Sequence, residues 1–328
     1  MPKISIIPEN IEFDIDYTEN ILSAGLNQNL NLPHGCKSGN CGACKCKVQL
    51  GDIDLDEYNK NVLKDEEIEQ GYTLLCKAHA KTDVVLYIPH FLHGFPIKML
   101  PARVEKIKKI NTTAIIILKI PATQKFGFYA GQYIDIMHKG KNRSYSLAGN
   151  PKKNDELELH VRYYNKGIFS EFVWNELKEQ QILRFKGPLG NFRLQETENP
   201  IILICTGTGF APIKSIIESI ISDNIKKEIH LYWGNRTKED FYLLELLPQW
   251  QEQLNLRITL CVSKENVDGY KSGYVTHELS KDFSDLKKYE VYACGNIKMI
   301  EDVYDLAVNK LNLAKTNFFS DAFIPSSE

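Results

Sequence analysis

The sequence predicts a multidomain chain: a small α+β domain, an antiparallel β-barrel, and a doubly wound α/β domain. Three observations predict it. Residues 1–93 mix short strand-like runs with one amphipathic helix around a cysteine-rich loop. Residues 94–198 carry strand runs separated by polar turns, the spacing of an antiparallel barrel. Residues 199–328 alternate buried-strand runs with helical periods, the pattern of a parallel doubly wound sheet.

In order along the chain, KISIIPE (3–9) and IEFDIDY (11–17) are close enough to require a hairpin. Thr18 is expected to cap a helix that carries Ile21, Leu22, Leu26 and Leu30 on one side. The loop CKSGNCGACKC (36–46) follows, then strands VQLGDIDL and DVVLYIP (83–89), and a Pro/Gly-containing joint at 89–101. The barrel strands are RVEKIKKI, AIIILKI, QYIDIMH and ELELHVRYY, divided by NTT, KGKN and NPKKND. IILIC (201–205) then leads through GTGFAP into a helix with Ile213, Ile216, Ile217, Ile220 and Ile221 on one face. Strands EIHLYWG, RITLCVS and YEVYACG complete the alternation, with helices near LLELLPQW and MIEDVYDLAVNKL.

Composition narrows the function. The chain has 328 residues, 43% apolar and 25% charged, enough for two or three buried cores. Its 40 basic residues stand against 42 acidic ones, so no net field draws it to nucleic acid or an anionic membrane. MPKISIIPEN lacks a secretory pattern, and aliphatic runs such as AIIILKI (114–120) are too short to span a bilayer. A soluble cytoplasmic protein is expected. In such a reducing compartment eight cysteines point to a metal site rather than a disulfide framework.

The cysteines are spaced Cys36-x4-Cys41-x2-Cys44, with Cys76 far downstream. That is plant-type 2Fe–2S spacing. Gly35, Gly39 and Gly42 allow the loop to wrap closely and to aim N–H groups at sulfur. Cys46 is left spare. A zinc site built from Cys36, Cys41, Cys44 and Cys46 is the alternative, although zinc usually takes two C-x2–4-C pairs and this loop has one good pair. PHGCKSGNCGACKCKV and TLLCKA resemble the plant-type ferredoxin domain over residues 1–93. The resemblance implies a β-grasp α+β domain and a one-electron carrier at about −400 mV.

In the middle region, RSYS (143–146) offers Arg143 to a pyrophosphate, Tyr145 to a flat ring and Ser146 to a ring nitrogen, with Ser144 between them. GIFS sets Gly167 and Ser170 at a helix N-terminus, where free N–H groups bind phosphate. AGQYIDI, RSYSLAG, GIFS and GPLGNF occur in the order found in the ferredoxin–NADP reductase family. That resemblance implies FAD contacts from Arg143, Ser144, Tyr145, Ser146, Gly167 and Ser170, and from Val161 and Arg162 in the strand beneath. The alternative for Val161 and Arg162 is a core residue and a solvated neighbour.

In the third region Gly207 and Gly209, with Thr208 between them, permit close approach to a diphosphate, and Pro212 suits the first helical turn. ICTGTGFAPIKSII, YWGNR and YACGNIKMIED resemble the NAD(P)-binding half of the same family, which adds Gly234, Arg236, Cys294 and Gly295. By that resemblance Cys294 lies beside the nicotinamide. Cys205 and Cys261 read as core thiols. Ser263-Lys264 followed by Glu265 sets an attracting charge beside a repelling one, a balance that favours NADH and leaves NADPH open.

Together these features imply hydride transfer from NAD(P)H to FAD, with Ser146, Cys294 and Phe323 at the reacting centre, and single electrons passed through a 2Fe–2S cluster to an acceptor protein. Phe323 is expected past the last sheet element, covering the flavin face, with Asp321 as a polar anchor. The domain order and the ending FFSDAFIPSSE resemble the CDP-6-deoxy-Δ3,4-glucoseen reductase branch, which implies a sugar dehydratase as acceptor. Oxygenase reductase components share the domain order and supply the second reading. A non-enzymatic metal scaffold is the third.

Overall fold

The computed structural model describes residues 1–89, 91, 94–153 and 155–323. The expected joint and the expected ending lie partly outside the described residues, at 90, 92, 93 and 324–328. Two compact units emerge, Met1–Ile97 with Leu189–Asn191, and Lys98–Pro188 with Phe192–Phe323.

In the first unit β1 (Lys3–Ile7) and β2 (Ile11–Asp14) form the expected antiparallel hairpin. Helix α1 (Ile21–Asn27) is capped by Asn20, whose Oδ1 accepts the Ser23 N–H at 2.9 Å. Thr18 is therefore not the cap. Its N–H and hydroxyl both go to Asp16 Oδ1, at 2.9 and 2.6 Å, in a local turn that competes with helix initiation. The expected strand VQLGDIDL is two strands, β3 (Lys45–Leu50) and β4 (Ile53–Leu55). They break at Gly51, where φ is +98° and a Cβ would lie 2.1 Å from the Asp83 carbonyl oxygen.

The unit continues through α2 (Asp65–Glu69), β5 (Tyr72–Leu74), β6 (Ala78–Ala80) and β7 (Val84–Tyr87). The main sheet runs β2-β1-β7-β3-β5, with β1 and β7 parallel. Ile4, Ile6, Val84 and Leu86 point inward at period two and share one core with Ile21, Leu22 and Ala24 of α1. This is the β-grasp arrangement.

The second unit opens with β8 (Lys98–Ile110), β9 (Thr113–Lys119), β10 (Tyr133–His138), β11 (Lys141–Ser146), β12 (Glu156–Arg162), helix α3 (Ile168–Asn175) and β13 (Ile182–Leu189). Their order is β11-β10-β13-β8-β9-β12, and a Leu147–Leu159 bridge closes the sheet into a barrel. RSYS lies on β11, one of two barrel strands, with β13, that the pattern of apolar runs does not announce.

The rest of this unit is β14 (Ile201–Thr206), α4 (Phe210–Ser222), β15 (Glu228–Asn235), α5 (Leu246–Gln253), β16 (Asn255–Val262), β17 (Lys271–Ser272), α6 (Val275–Asp282), β18 (Glu290–Asn296), α7 (Ile297–Tyr304) and β19 (Phe318–Phe323). The sheet is β17-β16-β15-β14-β18-β19, parallel throughout. Ile201 and Leu203 join Ile213, Ile216, Ile217 and Ile220 of α4 on one face, while Ile202 and Ile204 join Val275, Leu279 and Ile300 on the other. Such two-sided burial explains why these strands read as unbroken apolar runs. Phe323 is the last residue of β19, opposite Asn296, so it lies on the last sheet element rather than past it.

Barrel and nucleotide sheet meet along β12. Leu157, Leu159 and Val161 fill the barrel, and the alternate side chains Glu158, His160 and Arg162 reach the other half. Lys214 Nζ lies 3.0 Å from Glu158 Oε2 and 2.7 Å from Glu218 Oε1. His160 Nε2 is 2.8 Å from Glu158 Oε1, and its Nδ1 is 2.9 Å from the Tyr242 hydroxyl. Burial lowers the pKa of His160, so the ring is neutral; Nε2–H donates to the carboxylate and Nδ1 accepts from tyrosine. Burial acts to raise the Glu158 pKa, but the His160 bond and the Lys214 charge overrule it and hold the group below the usual carboxylate range.

Candidate active site and cluster loop

Close wrapping at Gly39 (φ +79°) and Gly42 (φ +74°) turns backbone N–H groups onto sulfur. The N–H groups of Ser38 and Asn40 lie 3.4 and 3.3 Å from Cys36 Sγ, and that of Cys36 lies 3.3 Å from Cys41 Sγ. These contacts favour thiolate over thiol. The four expected thiols stand as two pairs. Cys36 and Cys41 are hydrogen-bonded, and Cys44 Sγ is 3.4 Å from Cys76 Sγ. Among the described residues no three His, Cys, Asp or Glu side chains converge as around a single ion. Two pairs fit a two-iron cluster in which each iron takes two thiolates. Cys46 is buried on β3 in the apolar core, and burial alone pushes its thiol pKa up.

On β11 the side chains alternate. Ser144 Oγ donates to Asp135 Oδ1 at 2.6 Å, while Tyr145 packs on Phe169 with ring centres 5.2 Å apart. Arg143 is half-exposed, and its Nη1 donates to the Asn142 carbonyl oxygen at 2.9 Å. Ser146 Oγ is buried without a hydrogen-bond partner of standard geometry. It faces the carboxyl of Asp321, whose pKa it draws down against a larger upward push from burial, leaving it at about 7. An orphaned hydroxyl at the end of a cation- and tyrosine-bearing strand fits the flavin expected there.

Gly167 caps α3, but the Ser170 hydroxyl is already engaged. It donates toward the Tyr164 and Gly167 carbonyls at 3.0 and 3.1 Å and accepts the Tyr164 N–H at 3.1 Å. The backbone N–H groups of the first turn are what this end offers a phosphate. Val161 is fully buried in the barrel, where β12 pairs it with Ala114 of β9. Arg162, expected at the flavin with a solvated neighbour as the alternative, has its Nη2 2.6 Å from Asp240 Oδ1 in a partly buried ion pair.

The glycine turn, Gly207–Gly209, follows β14 directly. Gly209 is small because β18 is close, since a Cβ there would lie 2.3 Å from the Cys294 carbonyl oxygen. Gly295, at φ +128°, meets Thr206 in the same way, with 2.5 Å from its Cβ position to Oγ1. Thr208 lies half-buried between the two turn glycines, and Pro212 is buried in the first turn of α4. Gly234 is buried, and a Cβ there would lie 2.9 Å from Val275 Cγ1. Arg236 is exposed, and its carbonyl accepts the Lys264 N–H at 3.0 Å. The Glu265 carboxylate accepts the Lys238 N–H.

Cys294 is fully buried, beside Cys205 and opposite Asp321 in register. Burial first, then the Asp321 charge, raises its pKa. Ser146 from the barrel and Cys294 from the nucleotide sheet thus meet one carboxyl group. The sequence predicts Asp321 only as an anchor for Phe323; its place on β19, inaccessible to local pattern, makes it the centre of the group.

A family model for a 2Fe-2S iron-sulfur cluster binding domain matches residues 4–81. Models for an oxidoreductase FAD-binding domain and an oxidoreductase NAD-binding domain match residues 101–194 and 203–305. Fold and site therefore define an NAD(P)H-dependent iron–sulfur flavoprotein oxidoreductase. The chain is 37% identical to the CDP-6-deoxy-L-threo-D-glycero-4-hexulose-3-dehydrase reductase of Yersinia pestis, covering 98% of both chains. It is 31% identical to the propane 2-monooxygenase reductase component of Mycolicibacterium smegmatis, covering 98% of this chain and 97% of that one. The crystal structure of Amycolatopsis cytochrome P450 reductase GcoB superposes with a TM-score of 0.82 at 26% identity, covering both chains fully. The chain belongs to this family of reductases that join a plant-type ferredoxin domain to FAD- and NAD(P)-binding domains. No helix among the described residues is long and apolar enough to cross a membrane.

Proposed function

We propose that the chain delivers electrons from NADH, or NADPH, to a CDP-4-keto-6-deoxyhexose 3-dehydratase in dideoxysugar synthesis. The observation that carries this reading is its end-to-end identity of 37% to a dehydrase reductase, against 31% to a monooxygenase reductase component. When bound, NAD(P)H supplies hydride, FAD divides the electron pair, and the 2Fe–2S cluster carries single electrons.

The chain's own residues bind and orient. Cys36, Cys41, Cys44 and Cys76 would hold the cluster. Arg143 would pair with the FAD pyrophosphate, Tyr145 would stack on its ring, and Ser146 would bond the ring edge, with backbone from Ser144, Val161, Gly167 and Ser170 around it. Gly207, Thr208, Gly209, Pro212, Gly234, Arg236, Cys294 and Gly295 would line the NAD(P)H site. Glu265 beside Lys264 favours NADH. The domains would run 1–93, 94–198 and 199–328, in a cytoplasmic protein.

The test mixes the purified holoprotein with NADH and either a CDP-4-keto-6-deoxyhexose 3-dehydratase or an oxygenase. NADH-dependent dehydratase turnover is expected. Turnover of the oxygenase alone would transfer the assignment to the oxygenase reductases.

A further inference from the structure

At the C-terminal edge of the parallel sheet, where doubly wound folds bind ligands, the glycine turn does not keep all its donors free. Gly207 N–H, the first of the turn, donates to Asn235 Oδ1 at 3.2 Å. An N–H can only donate, so Oδ1 must face it and Nδ2 must face away. Asn235 ends β15 and is only 9% exposed. Its backbone carbonyl is satisfied by Ser263, through N–H at 3.1 Å and Oγ at 3.4 Å. Its Nδ2 is buried without a hydrogen-bond partner among the described residues. A buried orphan donor costs about 1–3 kcal/mol, so a fold that keeps one at a ligand edge calls for an acceptor from outside.

The surroundings specify that acceptor. The turn opens α4, a helix of 13 residues, so the free N–H groups and the positive end of the dipole lie here. Arg162 Nη1 is 3.2 Å from the position a Cβ on Gly207 would take. Helix terminus, guanidinium and amide donor together suit an anion with several acceptor oxygens.

We propose that Asn235 is a binding residue for the pyrophosphate of NAD(P)H: its Oδ1 takes up the Gly207 N–H and its Nδ2 presents donors to the phosphate oxygens in exchange. The proposal rests on reading this edge as the NAD(P)H site. It alters the expected role of Gly207, which serves through its left-handed turn (φ +55°) and lends its N–H to Asn235. Asparagine is required because it both accepts and donates from one planar group; aspartate keeps the acceptor and loses the donor.

The test uses the holoprotein with Asn235→Asp, checked for unchanged iron and flavin content. Flavin reduction by NADH is followed by stopped flow, and competition by ADP-ribose and by adenosine is measured. Apparent affinity for NADH and ADP-ribose is expected to fall roughly tenfold or more, the scale of a lost hydrogen bond to a charged group, with adenosine changed far less. Unchanged NADH affinity, an equal loss for adenosine, or a loss confined to the limiting rate would each overturn the proposal. If the wild-type flavin were not reduced by NADH at all, the reading of the site would fail instead. A crystal structure of wild-type holoprotein with ADP-ribose decides independently of any variant: Nδ2 is expected within hydrogen-bonding distance of a phosphate oxygen, and a partner elsewhere would refute it.

Discussion

The Ser146 hydroxyl, at the end of a barrel strand, faces the carboxyl of Asp321 on the edge strand of the other sheet. Burial pushes the pKa of that carboxyl up from an ordinary value of 3.8 to about 7, outweighing the lowering by Ser146. A carboxyl pKa raised on folding costs stability once the group ionises. The native state therefore loses stability as pH rises from about 4 to about 7. Asp321→Asn should remove this loss, so the variant gains thermal midpoint over wild type at pH 8 and gains little at pH 4. An equal difference at both pH values would show that Asp321 does not titrate in this range.

The Lys214–Glu158 contact carries a second prediction. Lys214 is nearly buried between Glu158 and Glu218. Lys214→Met leaves those carboxylates without their counter-charge and should cost about 3–5 kcal/mol in urea unfolding of the barrel and nucleotide unit. Adding Glu158→Gln should recover part of that loss. A single variant within about 0.5 kcal/mol of wild type would mean the network is energetically idle.

Cys76→Ser should lose iron while NAD(P)H still reduces the flavin, because cluster and flavin lie on separate domains. Cys46→Ser should keep its iron but unfold more readily, since it puts a hydroxyl into an apolar core. Iron analysis with iron retained in Cys76→Ser and lost in Cys46→Ser would reverse the ligand assignment.

Phe323 shares a face of β19 with Asp321, two residues and about 7 Å further along the strand. Phe318 falls on the opposite side, in the core with Val291 and Val303. We propose that the ring of Phe323, partly buried against the nucleotide-sheet core, also shields the flavin face from water until nicotinamide displaces it. Phe323→Ser should change both apparent NAD(P)H affinity and the flavin reduction rate, leaving the iron–sulfur spectrum as it is. Stopped-flow traces that match wild type would reduce Phe323 to a sheet-edge residue.

The cofactor chemistry and the order of the domains are legible in the chain alone. Cysteine spacing, glycine turns and the shift from alternating strands to buried runs are local in the chain, and local geometry and burial leave marks at fixed short intervals. The sequence alone did not reveal the Gly51 break in VQLGDIDL, which depends on the Asp83 carbonyl 2.1 Å from the missing Cβ. Nor did it reveal that Arg162 pairs with Asp240, that Gly207 lends its N–H to Asn235, or that Ser146 and Cys294 meet at Asp321. Those pairings join residues far apart in the chain, and only the packing of the nucleotide sheet against β12 and the placement of β19 beside β18 decide them. Side chains so distant in sequence carry no mutual spacing; they become neighbours when burial brings their strands together, and burial then sets which groups are charged and which are left seeking a partner.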